Sequence, residues 1–573
     1  MNKNITFLVL GLMALTFPLK AQHYSTHYFT SPLDSTITLI GTFGEIRPDH
    51  FHTGIDISTD QQEGKEVHAA ADGYVSRIKI TAGGFGKALY ITHPNGLVTV
   101  YGHLQKFRED IQQYVLSAQT AAKSYEIELT PKAKAMQVKK GEMIALSGST
   151  GDVAGPHLHF EIRDAETEEP INPLFFGLPV TDTLAPVISN IRIFPVPGQG
   201  ILNTTDTAIT YVVQREKGVN TVFPNDIVAL GQVGFGVEVT DHQQDFNSSL
   251  GIYSVQMKID SVVAYEFKMD RLNFNDLRYA NAHIDYQSKM RDNQTFLRCF
   301  RLPGNHLKIY GDTTRRGIIN FADYTTHLVT IIVKDFSGNS DTVKFQVVSS
   351  TSLSEMQYQP VPEGAVLVTT EKGIAIHKSD VDIAIPPGAI YDNYQFLSSE
   401  SKLYANRISP IYHIGDPNVA VHNPITIGIK PPKALPDSLK SKAAIISIDK
   451  YGNDQYEGGT WNEEFLTAKV KSFGNFTIAV DTVAPTIIKE YYPADLNSSR
   501  GPSIQFTVLD NLSGLKNYSA TVDGKWLLME YNKKESLIIG DISSFTQNMT
   551  HNVVVTVTDE KGNERKFSDT FYY

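Results

Sequence analysis

The chain has 573 residues, of which 41% are hydrophobic and 20% charged, and its formal net charge is -11. This length predicts several domains rather than one compact core, and the balanced composition excludes collagen-like and disordered chains. Because the charge is acidic and no basic stripe is interleaved with aromatic residues, nucleic acid is excluded as an expected partner.

The first 21 residues have the pattern of a secretory signal peptide. Lys3 precedes an apolar stretch at residues 5–17, and Ala21 offers a cleavage site. The stretch is shorter than the roughly 20 apolar residues that a membrane helix needs, and no later segment reaches that length. We therefore expect an exported protein with no transmembrane segment after signal cleavage. The periplasm is its main expected location, with the cell surface or the medium as alternatives.

Residues 22–181 are rich in glycine and histidine and predict short β-strands with one helical stretch. Residues 90–100 predict a β-hairpin, because their Asn-Gly dipeptide accepts the positive φ angles of a tight turn. His103 would then lie just past the second strand. Residues 108–122 carry good helix formers and predict a helix inside an insertion at about 105–137.

Two histidine motifs in this domain have the spacing of a metal site. The first reads Phe-His-Thr-Gly-Ile-Asp and contains His52 and Asp56; the second reads Gly-Pro-His-Leu-His-Phe and contains His157 and His159. In a strand, the last two histidines point to the same side. A catalytic zinc site takes three protein ligands, often imidazole or carboxylate, and leaves one position for water. His52, Asp56 and one of the paired histidines would supply that set.

Together with Tyr-Gly-His-Leu at residues 101–104, these motifs resemble those of the lysostaphin and LytM-type zinc endopeptidase family. The family motifs His-x-x-x-Asp, Tyr-x-His-Leu and His-Leu-His-Phe-Glu occur here in the same order, within roughly residues 32–175. The resemblance implies a small antiparallel β-sheet domain with a substrate groove, one Zn²⁺ per chain, and hydrolysis of peptide bonds in peptidoglycan cross-links or stems. It implies that the metal ligands are His52, Asp56 and His159. It also implies that the residues flanking the metal without ligating it are His103 and His157.

Histidine is expected to handle protons in this site. The sequence contains no His-Glu-x-x-His motif and so no glutamate base of that type. Imidazole titrates at about pH 6.5 and can take and return a proton near neutrality. We predict that His103 and His157 share this duty, one orienting or deprotonating the water and the other stabilising the oxyanion. Other histidines, among them His50, His68 and His93, are expected to be structural, with His93 at the surface of the hairpin turn.

Beyond the first domain, repeated segments predict β-sandwich domains. The Asp-Thr-x-Ala-Pro motif at Asp182 recurs at Asp481, and each repeat ends with a strand, an acidic turn and another strand. We expect a mainly β chain with Ig-like sandwiches at 182–350 and 481–573. Between them, at 359–480, the octet Ile-Ala-Ile-Pro-Pro-Gly-Ala-Ile resembles the β-sandwich domains of ankyrins and netrin receptors.

Three functions fit this organisation. The favoured one is an exported zinc metalloendopeptidase acting on peptidoglycan, with C-terminal domains that position it in the envelope and are candidates for binding envelope proteins. The first alternative is a catalytically silent or autoinhibited LytM-type regulator that activates cell-wall amidases. All five functional positions are filled, which favours activity, but an insertion that occupied the groove would silence it. The second alternative is an adhesin or envelope scaffold with a vestigial hydrolase.

Overall fold

The computed structural model describes residues 24–34, 36–216, 219–222, 227–244, 248–311, 314–353, 358–404, 407–492 and 502–573. The predicted signal peptide, residues 1–21, lies outside them. Within this part of the chain the fold is mainly β and most strand pairs are antiparallel, as the sequence predicted. No helix in these ranges is long and apolar enough to cross a membrane.

The N-terminal domain is built on two β-sheets. Its strands are β1 Leu39–Gly41, β2 Ile55–Ser58, β3 Glu66–His68, β4 Gly73–Ile80, β5 Lys87–Thr92, β6 Leu97–Gly102, β7 Leu104–Phe107, β8 Ile127–Leu129, β9 Gln137–Val138, β10 Met143–Ser147, β11 His157–Asp164 and β12 Pro170–Ile171. Its helix is α1 Glu109–Ala122, and a short 3-10 helix spans Pro173–Phe176. The larger sheet has the order β1-β2-β11-β6-β5-β4-β8, with β12 on β11 and β9 on β4; the smaller has the order β3-β10-β7.

Strand β11 lies inside the larger sheet, between β2 and β6. Its alternation buries Leu158 and Phe160 in the domain core and turns the histidines to the opposite face. The antiparallel register pairs His159 with Asp56 on β2 and with Gly102 on β6. Three distant segments of sequence are therefore brought to one point of the sheet.

The predicted hairpin and helix are confirmed. Strands β5 and β6 pair antiparallel around a turn in which Gly96 has a φ of 81°. Helix α1 begins at Glu109 and buries Ile111 and Val115 in the core of the N-terminal domain. The helical part of the insertion is thus integrated into this core by its apolar face.

The expectation that His93 lies at the surface is wrong. Its side chain is buried, with 3% of the residue exposed. Nδ1 of His93 donates to the carbonyl oxygen of Asp72 at 2.8 Å, and Nε2 lies 2.8 Å from the hydroxyl of Thr99. The ring of Phe29 covers it edge-on, with centroids 5.2 Å apart. These groups come from distant segments, so the turn sequence alone did not reveal the burial.

The second domain contains a ten-stranded sheet. Its strands are β13 Val187–Leu202, β14 Ile209–Glu216, β15 Val219–Val222, β16 Ile227–Thr240, β17 Ser254–Ile259, β18 Val262–Lys268, β19 Phe296–Arg298, β20 Ile319–Phe321, β21 Thr326–Lys334 and β22 Ser340–Ser349. Its helices are α2 Ala280–His283 and α3 Tyr286–Asp292, with a 3-10 helix at Phe274–Tyr279. Strand β22 pairs in parallel with both β15 and β16, so five strands close into a ring. The expectation of an antiparallel sandwich at 182–350 did not anticipate this closure.

The third and fourth domains are each two-layered. The third has strands β23 Val366–Val368, β24 Ile374–His377, β25 Val381–Ile385, β26 Tyr394–Phe396, β27 Ser398–Glu400, β28 Tyr412–Ile414, β29 Ala420–Ile429, β30 Ala443–Ile448, β31 Asp454–Gly458, β32 Thr460–Asn462, β33 Phe465–Ser472 and β34 Gly474–Val480, with helix α4 Asp437–Lys440. The fourth has strands β35 Thr486–Tyr491, β36 Ser503–Leu509, β37 Leu515–Val522, β38 Lys525–Leu527, β39 Met529–Asn532, β40 Leu537–Asp541, β41 Thr550–Asp559 and β42 Glu564–Tyr572. The third domain contains two five-stranded sheets and the two-stranded sheet β23-β26, and the fourth contains two four-stranded sheets; each domain encloses its own apolar core.

Candidate active site

The five side chains singled out by the sequence meet at one end of strand β11. His52 lies just before β2, Asp56 lies on β2, His103 follows β6, and His157 and His159 lie on β11. Nε2 of His52, Oδ1 of Asp56 and Nδ1 of His159 form a triangle whose sides are 3.0 Å, 2.9 Å and 3.0 Å. The structure therefore brings together all three expected metal ligands and both flanking histidines.

The outer nitrogens of the two ligand rings are held by fixed acceptors. Nδ1 of His52 donates to the carbonyl oxygen of Thr42 at 2.9 Å, and Nε2 of His159 donates to a carboxylate oxygen of Glu161 at 3.1 Å. Each acceptor requires the proton to be on that nitrogen. In a neutral ring the inner nitrogen then carries a lone pair, which is the form that binds a metal.

This arrangement fits zinc. Two inner imidazole nitrogens and one carboxylate oxygen all point at the same small space, and three acceptors cannot satisfy one another without a cation or a proton among them. Two nitrogen donors and one carboxylate match the ligand set of catalytic zinc sites. His52, Asp56 and His159 are thus suited to hold the metal.

Charged neighbours orient the carboxylates of the site. Arg47 donates to Oδ2 of Asp56 at 2.8 Å, which leaves Oδ1 for the triangle. Glu161 is fully buried and accepts hydrogen bonds from Thr53 and Arg163. Burial opposes ionisation of Glu161, but the adjacent Arg163 lowers the pKa of this carboxyl to about 2. Both carboxylates are therefore charged at neutral pH.

The electrostatics of the triangle favour a positive charge. Burial lowers the pKa of His159, but hydrogen bonds to Asp56 and Glu161 outweigh it and raise this pKa to about 9. Burial would raise the pKa of Asp56, yet the charge of His52 and hydrogen bonds from the surrounding histidines hold it well below its usual range. The same acidic surroundings would favour a bound metal ion.

The two flanking histidines share a common orientation. Nδ1 of His103 donates to the carbonyl oxygen of Thr150 at 2.9 Å, and Nδ1 of His157 donates to that of Gly155 at 2.9 Å. Their ring centroids are 4.8 Å apart, and Nε2 of His157 lies 3.5 Å from Oδ1 of Asp56. Burial, with the nearby His159 and His157, lowers the pKa of His103 to about 3, so this ring is neutral at neutral pH.

Sequence reasoning assigned no role to several residues that contact the site, among them Glu161 and Phe85. Glu161 could have been found, because it lies two residues after His159 in the same strand and therefore on the same face. Phe85 stacks on His159 with centroids 4.6 Å apart, and its carbonyl oxygen accepts the backbone N–H of His103 at 2.8 Å. Phe85 comes from the turn before β5, and no local pattern marked it.

The fourth domain touches segments that flank the site. Nζ of Lys87 donates to Glu530 at 2.7 Å, and Lys87 is two residues after Phe85. Nζ of Lys534 donates to the carbonyl oxygen of Ala154 at 3.0 Å, three residues before His157. Two contacts from one domain thus reach the start of β5 and the loop before β11, on either side of the histidines.

Comparison with known families identifies two regions. Residues 50–173 match the model of Peptidase family M23 in two overlapping segments, 50–133 and 125–173. Residues 365–481 match the model of a Zu5-like domain, over the region where the sequence resembled a sandwich of ankyrins and netrin receptors.

Curated relatives match the same N-terminal region. The chain is 39% identical over 140 residues to an "Uncharacterized metalloprotease" of Haemophilus influenzae, covering 24% of this chain and 23% of that protein. It is 37% identical over 131 residues to "DD-carboxypeptidase/endopeptidase Mpg" of Neisseria meningitidis, covering 23% and 24%. It is 29% identical over 134 residues to "Peptidoglycan DD-endopeptidase ShyB" of Vibrio cholerae, covering 23% and 25%. The chain thus spans about a quarter of the length of these relatives.

Proposed function

Because the chain carries a domain of Peptidase family M23, we propose that it is an exported zinc metalloendopeptidase that hydrolyses peptide bonds in peptidoglycan cross-links or stem peptides. One observation carries the metal chemistry: Nε2 of His52, Oδ1 of Asp56 and Nδ1 of His159 converge while their outer atoms are anchored. The names of the relatives from Neisseria and Vibrio support the substrate class and, with it, an envelope location such as the periplasm.

When bound, zinc would polarise the scissile carbonyl and lower the pKa of water towards neutrality. His52, Asp56 and His159 would hold the ion, and Glu161 and Thr42 keep the two ligand rings in the binding tautomer. The protein's contribution to this step is thus a fixed, largely buried donor set that needs little reorganisation.

The flanking histidines would move the proton. Nδ1 of His103 and of His157 donates to a backbone carbonyl, so in each neutral ring Nε2 carries the lone pair that would accept a proton from water. One ring would take that proton and return it to the leaving amine, while the other, when protonated, would donate a hydrogen bond to the developing oxyanion. Both rings have the same anchor on Nδ1, so we assign the proton transfer to the pair jointly.

A second candidate function is an autoinhibited LytM-type regulator that activates cell-wall amidases. The contacts from Glu530 to Lys87 and from Lys534 to Ala154 favour it, because they fix the loops that border the site. The inserted helix α1 supports it less, since its buried residues join the core of the N-terminal domain. In this alternative the metal site is intact and access to it is controlled by the fourth domain.

The test is product analysis. Purified peptidoglycan is incubated with the mature chain plus zinc, with the same chain plus a chelator, and with His159→Ala. We expect chelator-sensitive release of peptides with new amine ends. Mass spectrometry of these peptides identifies the peptide bond that is cut. If a folded, zinc-loaded protein releases nothing but stimulates a purified amidase, the regulatory alternative replaces the peptidase.

A further inference from the structure

Outside the candidate active site, two clusters of three aspartates lie at equivalent positions in the second and fourth domains. Within each cluster, one carboxylate oxygen per residue lies within 4.8 Å of the others. The first cluster, here the junction triad, consists of Asp182, Asp241 and Asp335. The second, here the C-terminal triad, consists of Asp481, Asp510 and Asp559. In each triad the first aspartate precedes the first strand of its domain, and the others lie at the ends of two strands.

The junction triad contains a buried carboxylate oxygen without a partner. Asp241 is 2% exposed, and its buried Oδ1 accepts no hydrogen bond from the described residues. Asp335 is 3% exposed. Burying carboxylates beside one another is costly unless something positive lies between them. Burial, followed by the charges of Asp335 and Asp182, accordingly raises the pKa of Asp241 to about 7.

The C-terminal triad also contains a buried carboxylate oxygen without a hydrogen-bond partner among the described residues. Oδ1 of Asp510 is buried and has no partner among the described residues. The hydroxyl of Ser513 is likewise buried without a partner, although the backbone N–H of Ser513 donates to Oδ2 of Asp481 at 3.1 Å. Ser513 is 4% exposed, so water does not readily satisfy it.

An asparagine organises each triad in the same way. Nδ2 of Asn339 donates to Oδ2 of Asp335 at 2.7 Å and to the backbone carbonyl of Asp182 at 3.2 Å. The equivalent bonds, at 2.7 Å and 3.0 Å, join Asn563, Asp559 and Asp481. The linker and the acidic turn are therefore tied together without using Oδ1 of Asp241 or Oδ1 of Asp510, which leaves these two oxygens available for a ligand.

We propose that each triad binds one Ca²⁺ ion and that the ion fastens the linker to the domain it enters. Ca²⁺ takes six to eight oxygen ligands in flexible geometry, so three aspartates supply the charged part and backbone oxygens, Ser513 or water supply the rest. Neither triad includes the nitrogen or sulfur donors that zinc prefers. These sites are thus chemically distinct from the histidine site.

The junction triad lies where the N-terminal domain meets the second domain. Two residues after Asp241, Gln243 accepts from the backbone N–H of Leu39 at 2.7 Å and donates to the carbonyl of Thr181 at 2.8 Å. Directly after Asp335, Phe336 contacts Phe175 of the N-terminal domain, with ring centroids 5.2 Å apart. An ion here would stiffen the junction that orients the N-terminal domain.

The test uses the full chain, freed of divalent ions and then reloaded with one equivalent of zinc, and titrated with Ca²⁺ in a calorimeter. We expect about two Ca²⁺ per chain. Asp241→Asn should remove one site and Asp510→Asn the other, while the double variant should bind none. The control is Asp323→Asn, which changes an exposed carboxylate of the second domain that pairs with His327.

Melting temperatures distinguish the loss of a Ca²⁺ site from simple unfolding of the variant. Without Ca²⁺, Asp241→Asn removes repulsion and should melt at or above the wild-type temperature. With Ca²⁺, the wild type should gain several degrees and the variant should gain less, so the order of the two proteins reverses. The absence of Ca²⁺ uptake by the wild type, or uptake that Asp241→Asn and Asp510→Asn leave unchanged, would overturn the proposal. A variant that melts below the wild type without Ca²⁺ would show that these carboxylates are structural and would also count against it.

Discussion

Nε2 of His52 lies 3.0 Å from Nδ1 of His159, and in neutral rings anchored as these are, both atoms carry lone pairs. Two acceptors at this distance repel unless a cation or a proton lies with them. Together with Oδ1 of Asp56, these two nitrogens form a metal site with three ligand atoms.

Replacing either histidine of this pair should abolish metal binding. His52→Ala or His159→Ala removes one of three ligands, and we expect zinc content below about a tenth of the wild-type value and no measurable peptide release. Metal analysis after gel filtration checks this. His50→Ala is the matched control, because His50 is exposed and pairs with Asp49. Full zinc content in His159→Ala would contradict the assignment.

The two flanking histidines should affect turnover without affecting the metal. His103→Ala and His157→Ala should each keep about one zinc per chain and lower kcat by about 10²- to 10⁴-fold, the usual contribution of a general acid or base. The measurement is the initial rate of amine release together with the zinc content of each sample. Unchanged turnover in the double variant at full zinc occupancy would rule out the role we give them.

Glu161 should raise the affinity for zinc through its contact with His159. Glu161→Gln keeps the shape of the side chain but removes the charge that orients the ring and pairs with Arg163. We expect zinc affinity to fall about 10- to 100-fold and the free energy of unfolding to fall by about 3 kcal/mol, because a buried arginine loses its partner. Zinc competition with a chelator and urea unfolding measure these effects. Unaltered zinc affinity would show that Glu161 serves folding alone.

His93 should make the N-terminal domain sensitive to acid. Burial lowers its pKa from 6.5 in the unfolded chain to about 4 in the fold. The neutral ring therefore stabilises the fold above pH 6.5, and this contribution, about 3 kcal/mol, is lost as the pH falls from 6.5 through 4. In His93→Gln, which cannot titrate, the unfolding free energy should fall less over this range. If the free energy of urea unfolding fell equally with pH in the two proteins, the role given to His93 would be refuted.

The contact between the fourth domain and the site loops should restrain activity. Glu530→Ala combined with Lys534→Ala removes both contacts, and since an ion pair of this kind contributes up to about 1 kcal/mol, we expect turnover to rise about two- to fivefold. The control is Glu535→Ala, an exposed carboxylate of the same hairpin. A fall in turnover, with the protein folded, would indicate that the fourth domain supports the active state instead.

Strand geometry predicted only that His157 and His159 share a face, and the family resemblance supplied the choice of His52, Asp56 and His159 as ligands. The alternation in β11 and the four-residue spacing before Asp56 are short-range features, so His157 and His159 could be placed on one face. The same alternation extends to Glu161, which went unassigned because its role depends on its contact with a ring, not on a motif.

Features made by distant segments escaped sequence analysis. His93 is buried by Phe29 and held by Asp72, and the turn sequence carries no sign of either contact. The repeated acidic turns were visible, but only the fold shows that the linker aspartates and the strand ends converge into triads. The closed strand ring of the second domain likewise rests on two parallel pairings between strands far apart in sequence.

The most direct test of the central claim is one reconstitution cycle on purified peptidoglycan. The release of new amine ends is measured with the zinc-loaded full chain, after removal of the metal, and after one equivalent of zinc is restored. The account predicts release that stops without zinc and returns with it in the wild type, and no release by His159→Ala at any stage. Release that persists without metal, or that His159→Ala retains, would contradict it.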